Sequence, residues 1–402
     1  MDKYSYLKLK SLKNHQYIGF DVDHCLIRYH IKSITRACYE SLMKTLINEK
    51  GYPETLLNLT EKEIGIGLNY SLIDINKGTI LQIGKNKTIL KGYRGFKQIN
   101  IEEEYGKDYI IEAFEPLLIN RNPEFMVLAT YFENSKGVIF AKIVDFKTKE
   151  KVLKENDYKD IINDIDFAVK QNYMHYNEQR VYKIQQYGTF FKSICDNPQG
   201  LIHKQAKFRK ILENLKQQNN KFLFIVTNSH FEFINFTMSY SYGDDWQNLF
   251  DLIFVKAQKP AFFTNQNNTM YEYDEQNPLL IGKEVIDIEK SGKKIFVEGN
   301  YQILENYINS KFGFSIDKKI LFFGDNILSD CYYSQQLSQW DSIAIVEELY
   351  EELNDNDYWG NFMDKNNESF NSFWLNVAKQ DLQGGFIRLV DSQDAQIIWE
   401  SV

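Results

Sequence analysis

The chain has little cysteine. Cys25, Cys38, Cys195 and Cys331 lie far apart and form no Cys-x-x-Cys pair. That excludes a disulfide framework and a zinc knuckle, and it fits a reducing compartment. Long apolar runs are lacking too. Runs such as LFIV and ILFF fall far short of the roughly 18 residues a membrane span needs. The N-terminus, MDKYSYLKLKSLKNHQ, is polar and has no signal-peptide apolar run. A soluble, cytoplasmic protein without a membrane partner is expected. Excess positive charge is also missing: 47 Lys and Arg stand against 55 Asp and Glu, a net charge of -8. With no basic stripe, a nucleic-acid partner is disfavoured, although an acidic chain can still bind phosphate locally. Proline is scarce, at 6 residues, beside 26 Tyr and 29 Phe. Together with many Lys, Asn and Ile this reads as a compositional bias, so the aromatics are weak evidence for stacking platforms.

What is present is ordinary for a globular protein: 43% hydrophobic and 25% charged residues. A length of 402 residues suggests two or three domains, or one α/β core with a large insertion. No internal repeat is visible. QYIGFD (16–21) reads as a short buried strand ending in a carboxylate. Ile34, Cys38, Leu42 and Leu46 form a helical stripe stopped by Gly51 and Pro53. SLIDI, the NKG turn at 76–78, TILQI, the GKNK turn at 84–87 and TIL alternate like hairpin arms. GVIFAKIVDF (137–146) is a clear apolar segment. Phe208, Ile211, Leu212 and Leu215 make a second helical stripe.

From there the rhythm is regular. KFLFIVTN (221–228), FDLIFV (250–255), KKIFVEG (293–299), KKILFFGD (318–325) and DSIAIV (341–346) are short apolar runs, several separated by helix-length segments. That pattern predicts a doubly wound, mainly parallel sheet covered on both faces. The fold class is therefore α/β, with a large α+β cap inserted after the first core strand. The expected divisions are 1–30 (first strand and motif), 31–205 (substrate-selecting cap), 206–350 (remaining core) and 351–402 (an extension packing on the core). In the tail, NDNDYWGNFMDKNNE reads as a loop, followed by a helix near 370–382.

Four segments place polar residues just after expected core strands, where open α/β sheets bind ligands. In GFDVDHC, Asp21 and Asp23 cannot both stay ionised cheaply without a nearby cation, and a hard divalent ion with oxygen ligands resolves this. Taken alone, Asp-x-Asp is common by chance and reads as a surface turn. In FIVTNSH, Thr227 and Asn228 offer hydroxyl, amide and backbone donors to an anion; otherwise Thr227, Asn228 or Ser229 caps a helix. In VKAQKPAFF, Pro260 biases Lys259 toward an extended conformation that can aim its ammonium inward, or else Lys259 is simply solvated. In LFFGDNILSD, Asp325 ends an apolar run, Asp330 lies five residues on, and Gly324 allows close approach to a ligand. Asp330 also reads as a first-turn helix acid. His24, Cys25 and His30 match no zinc spacing, and no second cluster completes four ligands.

In this order the four segments resemble the motifs of the haloacid-dehalogenase-like phosphohydrolase superfamily. GFDVDHCLIRYH, EKGYP, ETLLNLT, VKAQKPAFF and FFGDNILSD look like the 5′-nucleotidase domain-containing family, which is similar to the cytosolic purine 5′-nucleotidases. The resemblance runs from about 16 to 350. It implies a Mg²⁺-dependent phosphohydrolase of nucleoside 5′-monophosphates or other small phosphomonoesters. Asp21 would be the nucleophile and Asp23 the acid and base. Mg²⁺ would sit among Asp21, the Asp23 carbonyl and Asp325, with Asp330 as ligand or orienter. Thr227 and Lys259 would bind phosphoryl oxygens, and Asn228 would touch substrate. The resemblance also matches Phe132 of TYFENSKG to a base-stacking position, and Lys192 and Asp196 of FFKSICDNPQG to base or ribose contacts. The residues also admit a core phenylalanine, a solvated lysine and a loop acid.

Two departures stand out. Cys25 occupies the place of a family threonine. Asn197, Pro198 and Gln199 stand where a histidine is expected, with His203 further on. These leave open a weakly active or non-catalytic nucleotide-binding protein on the same fold, and transfer of the phosphoryl group to a nucleoside in place of water. The sequence also leaves a homo-oligomer open.

Overall fold

A computed structural model describes residues 15–68, 72–83, 88–107, 124–128, 130–173, 189–217, 219–276, 282–313, 320–338 and 340–345. The GKNK turn, the extension 351–402 and the helix expected near 370–382 lie outside the described residues. In chain order, β1 (Tyr17–Phe20) is followed by β2 (Leu72–Asp74), β3 (Thr79–Ile83), β4 (Ile89–Arg94), β5 (Lys97–Gln98) and β6 (Phe125–Val127). Then come β7 (Phe222–Val226), β8 (Leu252–Val255), β9 (Met270–Glu272), β10 (Glu284–Val285), β11 (Ile295–Glu298), β12 (Ile320–Gly324) and β13 (Asp341–Ala344).

The larger sheet has eight strands in the order β10-β9-β11-β8-β7-β1-β12-β13. From β11 to β13 every neighbouring pair is parallel. β9 and β10 add an antiparallel edge that the sequence did not announce. The architecture is α/β, as the rhythm of apolar runs predicts.

Continuous apolar runs form the central strands because both faces of the sheet are covered. Alternation sorts them. Ile18, Phe20, Leu223, Ile225, Leu321 and Phe323 enter one core, while Phe222, Phe224, Ile320 and Phe322 enter the core on the opposite face. Gly19 in the middle of β1 has a steric reason: a Cβ there would lie 2.4 Å from the Phe224 ring and 2.7 Å from that of Phe322. Those two rings stack across the strand, 6.5 Å apart.

Between β1 and β7 the chain builds a second sheet, β5-β4-β3-β2-β6, antiparallel throughout. The helices Tyr131–Lys147 and Glu155–Tyr173 pack with it around a third core. The helix Ile31–Lys50 spans two of these cores. Its first half, through Ile34 and Cys38, joins the large-sheet core, and its second half, through Tyr39, Leu42, Met43 and Leu46, joins the third. The helix ends as its sequence predicts: Gly51 adopts a left-handed conformation (φ 71°) and its N–H bonds back into the last turn. Among the described residues, no helix is long and apolar enough to cross a membrane.

Strand order fixes where a ligand can sit. The chain winds from β1 through β7 and β8 to β11 on one side, then returns to place β12 on the other. β1 and β12 therefore flank the switch point, whose crevice opens at their carboxyl ends.

Candidate active site

The four polar segments follow β8, β7, β1 and β12, which are consecutive and parallel in the sheet. They therefore emerge side by side at one end. Asp21 directly follows β1, and its N–H bonds to the Phe323 carbonyl at 2.7 Å, continuing the pairing with β12. Its Oδ1 accepts from the Val22 N–H at 2.7 Å. Its Oδ2 lies 3.0 Å from Lys259 Nζ.

The Lys259 side chain is 2% exposed, so it is not the solvated lysine that the sequence also allowed. It lies 2.7 Å from Asp330 Oδ1. Burial alone would lower its proton affinity, but the Asp21 and Asp330 carboxylates outweigh that and hold it above the ordinary lysine value. Asn228 fixes its backbone. Asn228 Nδ2 donates to the Lys259 carbonyl at 3.0 Å, and Asn228 Oδ1 accepts from the Lys259 N–H at 2.6 Å. Asn228 thus uses both ends of its amide to place the lysine, while staying exposed.

Asp330 is fully buried. Its Oδ2 accepts from the Asn326 N–H at 3.0 Å. Burial pushes its carboxyl up to about 6, against the pull of Lys259. Gly324 makes room for it: a Cβ on Gly324 would stand 2.4 Å from the Asp330 carboxylate. The sequence reading gave that glycine to an approaching ligand; the group that approaches is Asp330 itself. Asp325 completes the cluster. Ligand oxygens of Asp21, Asp325 and Asp330 lie within 4.8 Å of one another. Burial, and then the charges of Asp21 and Asp330, raise the Asp325 carboxyl well above the usual range.

These residues fit a hard divalent cation. The donors are carboxylate oxygens, the class such ions take. Two buried acids, Asp21 and Asp330, share one ammonium, and Asp325 stands beside them. A cation among them would favour the ionised forms.

Asp23 is held differently. Tyr29 donates its hydroxyl to Oδ1 at 2.5 Å, and Ser229 donates its hydroxyl to Oδ2. Burial raises the Asp23 carboxyl, while these two hydrogen bonds pull it down. Sequence reasoning missed both donors, although Ser229 lay inside FIVTNSH and Tyr29 inside CLIRYH. Neither Thr227, Asn228 nor Ser229 caps the next helix. His230 occupies that position without a side-chain cap bond, and the Ser229 hydroxyl is spent on Asp23 instead. Thr227 is buried, and its Oγ1 accepts from the Ser229 N–H at 3.2 Å.

Cys25 fills a packed space, 1% exposed, with its thiol 3.5 Å from the Phe323 carbonyl. Lys192 and Asp196 pair with each other at 2.5 Å on one exposed helical face. Phe132 falls in the first turn of the helix Tyr131–Lys147, but its side chain lies outside the described residues.

Comparison with known proteins gives the family. A family model described as the 5' nucleotidase family matches residues 6–382. The human 5'-nucleotidase domain-containing protein 1 is 28% identical over 343 residues, covering 83% of this chain and 71% of that protein. The human 5'-nucleotidase domain-containing protein 2 is 24% identical over 351 residues, covering 85% and 62%. A solved structure of the putative HAD-hydrolase YfnB from Bacillus subtilis is 13% identical and covers 85% of this chain and 90% of that one. At a TM-score of 0.26 that likeness is too slight to bear on the fold, which rests on the strand order above. With the family model matching nearly the whole chain, the chain belongs to the 5' nucleotidase family.

Proposed function

We propose that the protein is a Mg²⁺-dependent phosphatase that releases phosphate from nucleoside 5′-monophosphates through an aspartyl phosphate. Family membership supports a phosphohydrolase. The observation that carries the reading is the buried Lys259 ammonium between Asp21 and Asp330, beside the three-carboxylate cluster.

In this reading Asp21 attacks phosphorus with a carboxylate oxygen. The bond to the ribose 5′-oxygen breaks, and Asp23 gives its proton to that leaving oxygen. A water then attacks the phosphoryl group, returning a proton to Asp23. Inorganic phosphate leaves and the Asp21 carboxylate is restored. Lys259 and Thr227 bind the phosphoryl oxygens, and Lys259 offsets the charge that develops there. Asp21, Asp325, Asp330 and the Asp23 carbonyl would hold Mg²⁺, which when bound offsets repulsion between phosphate and carboxylate. Asn228 and Asp330 keep Lys259 aimed.

Residues 31–205 serve as the cap that selects the leaving group. The substrate base and ribose are assigned to Phe132, Lys192 and Asp196. The test is phosphate release from a panel of mononucleotides and sugar phosphates, with Mg²⁺ and with a chelator. Release that needs Mg²⁺ and favours nucleoside 5′-monophosphates supports the reading. Nucleotide binding without release rejects it in favour of a binding protein.

A further inference from the structure

Asp23 is the one acid of the site whose two oxygens are both claimed by hydroxyl donors, Tyr29 at Oδ1 and Ser229 at Oδ2. The two donors differ in origin. Ser229 belongs to the turn after β7. Tyr29 belongs to the connector by which the chain leaves that core for the helix Ile31–Lys50 and the second sheet.

The outgoing connector is clasped to the returning one. Tyr29 and Ile202 form an antiparallel bridge. The His30 N–H donates to the Leu201 carbonyl, and the His203 N–H donates to the Arg28 carbonyl, each at 2.9 Å. These bonds flank Tyr29 on both sides. The Tyr29 ring is buried and lies 4.9 Å from that of His24. The rest of this connector is tied to the core: the Ile27 N–H donates to the Val22 carbonyl at 2.8 Å, and Tyr242 donates its hydroxyl to the Leu26 carbonyl at 2.6 Å. Tyr29 is therefore where the paired connectors reach the site, and its hydroxyl ends on Asp23.

We propose that Tyr29 is a positioning residue for Asp23, joining the clasped connectors to the aim of the acid. The proposal rests on the phosphatase reading for its kinetic consequence. A carboxyl held at both oxygens cannot rotate, so its proton is delivered along one line. With the Tyr29 hydroxyl removed, Asp23 keeps only the Ser229 bond and can turn about it. Delivery of the proton to a ribose oxygen then suffers. A nitrophenolate leaves without protonation and does not.

The variant is Tyr29→Phe, which keeps the buried ring. With a nucleoside 5′-monophosphate, kcat should fall about tenfold or more, with KM little changed. With p-nitrophenyl phosphate, the first-turnover burst of nitrophenolate, which precedes the water step in which Asp23 takes a proton, should stay within about twofold. An equal loss in that burst, or no loss on the nucleotide, overturns the proposal. A second measurement does not depend on turnover. Hydrogen exchange at the His30 and His203 amides should quicken about tenfold in Tyr29→Phe and in Asp23→Ala, with no further gain in the double variant. Unchanged exchange in both single variants overturns the link. If the wild-type protein turns over neither substrate, the phosphatase reading fails, and the exchange experiment alone decides the role of Tyr29.

Discussion

Lys259 Nζ lies 2.7 Å from Asp330 Oδ1, and neither side chain is more than 2% exposed. A charge pair so deeply buried makes removal of either partner costly, because the other is left without compensation. Lys259→Ala should lower unfolding free energy by about 3–5 kcal/mol and abolish phosphate release. Urea titration measures the first and a coupled phosphate assay the second.

Gly324 supplies a steric test of the same cluster. A Cβ at Gly324 would press on Asp330 at 2.4 Å, whereas one at Gly51 meets nothing within 4 Å. Gly324→Ala should displace Asp330, cost about 1–3 kcal/mol and reduce turnover sharply. Gly51→Ala should cost about 1 kcal/mol through its left-handed backbone and leave turnover intact.

The acid cluster predicts stabilisation by a divalent ion without any substrate. An ion held only where Asp21, Asp325 and Asp330 are assembled stabilises the folded chain by mass action, so added Mg²⁺ should raise the melting temperature. The rise should be lost in Asp325→Asn. Thermal melts with Mg²⁺ and with a chelator read it directly.

Acid should destabilise the protein through His230. Burial lowers its imidazole from 6.5 to about 4. As pH falls below 6.5 the unfolded chain takes up a proton that the folded chain refuses, so stability drops until about pH 4. The loss should be on the order of 2 kcal/mol. His230→Gln should remove that part of the acid limb in denaturant titrations followed between pH 7 and pH 4.

Much of this architecture was legible in the sequence because the central strands are buried on both faces. Such strands read as unbroken apolar runs, and the residue after each is forced to the same sheet end. Asp21, Thr227, Lys259 and Asp325 could thus be placed together although far apart in the chain. The antiparallel edge strands were not legible: β10 has two residues, one of them exposed, and carries no periodic signal. Tyr29 was missed for another reason. Its contact with Asp23 depends on how two connectors pair, and Tyr29 and Ile202 are too far apart in the sequence for any local pattern to show it. For Asn228 the sequence suggested a substrate contact; its two bonds to the Lys259 backbone were not legible, because they depend on how the turns after β7 and β8 meet.

The central claim is that Asp21 carries the phosphoryl group. Wild-type protein mixed with Mg²⁺ and a nucleoside 5′-monophosphate, then quenched in acid, should yield a phosphorylated peptide containing Asp21 by mass spectrometry. Asp21→Asn should yield neither that peptide nor free phosphate. Undiminished phosphate release by Asp21→Asn would contradict the account.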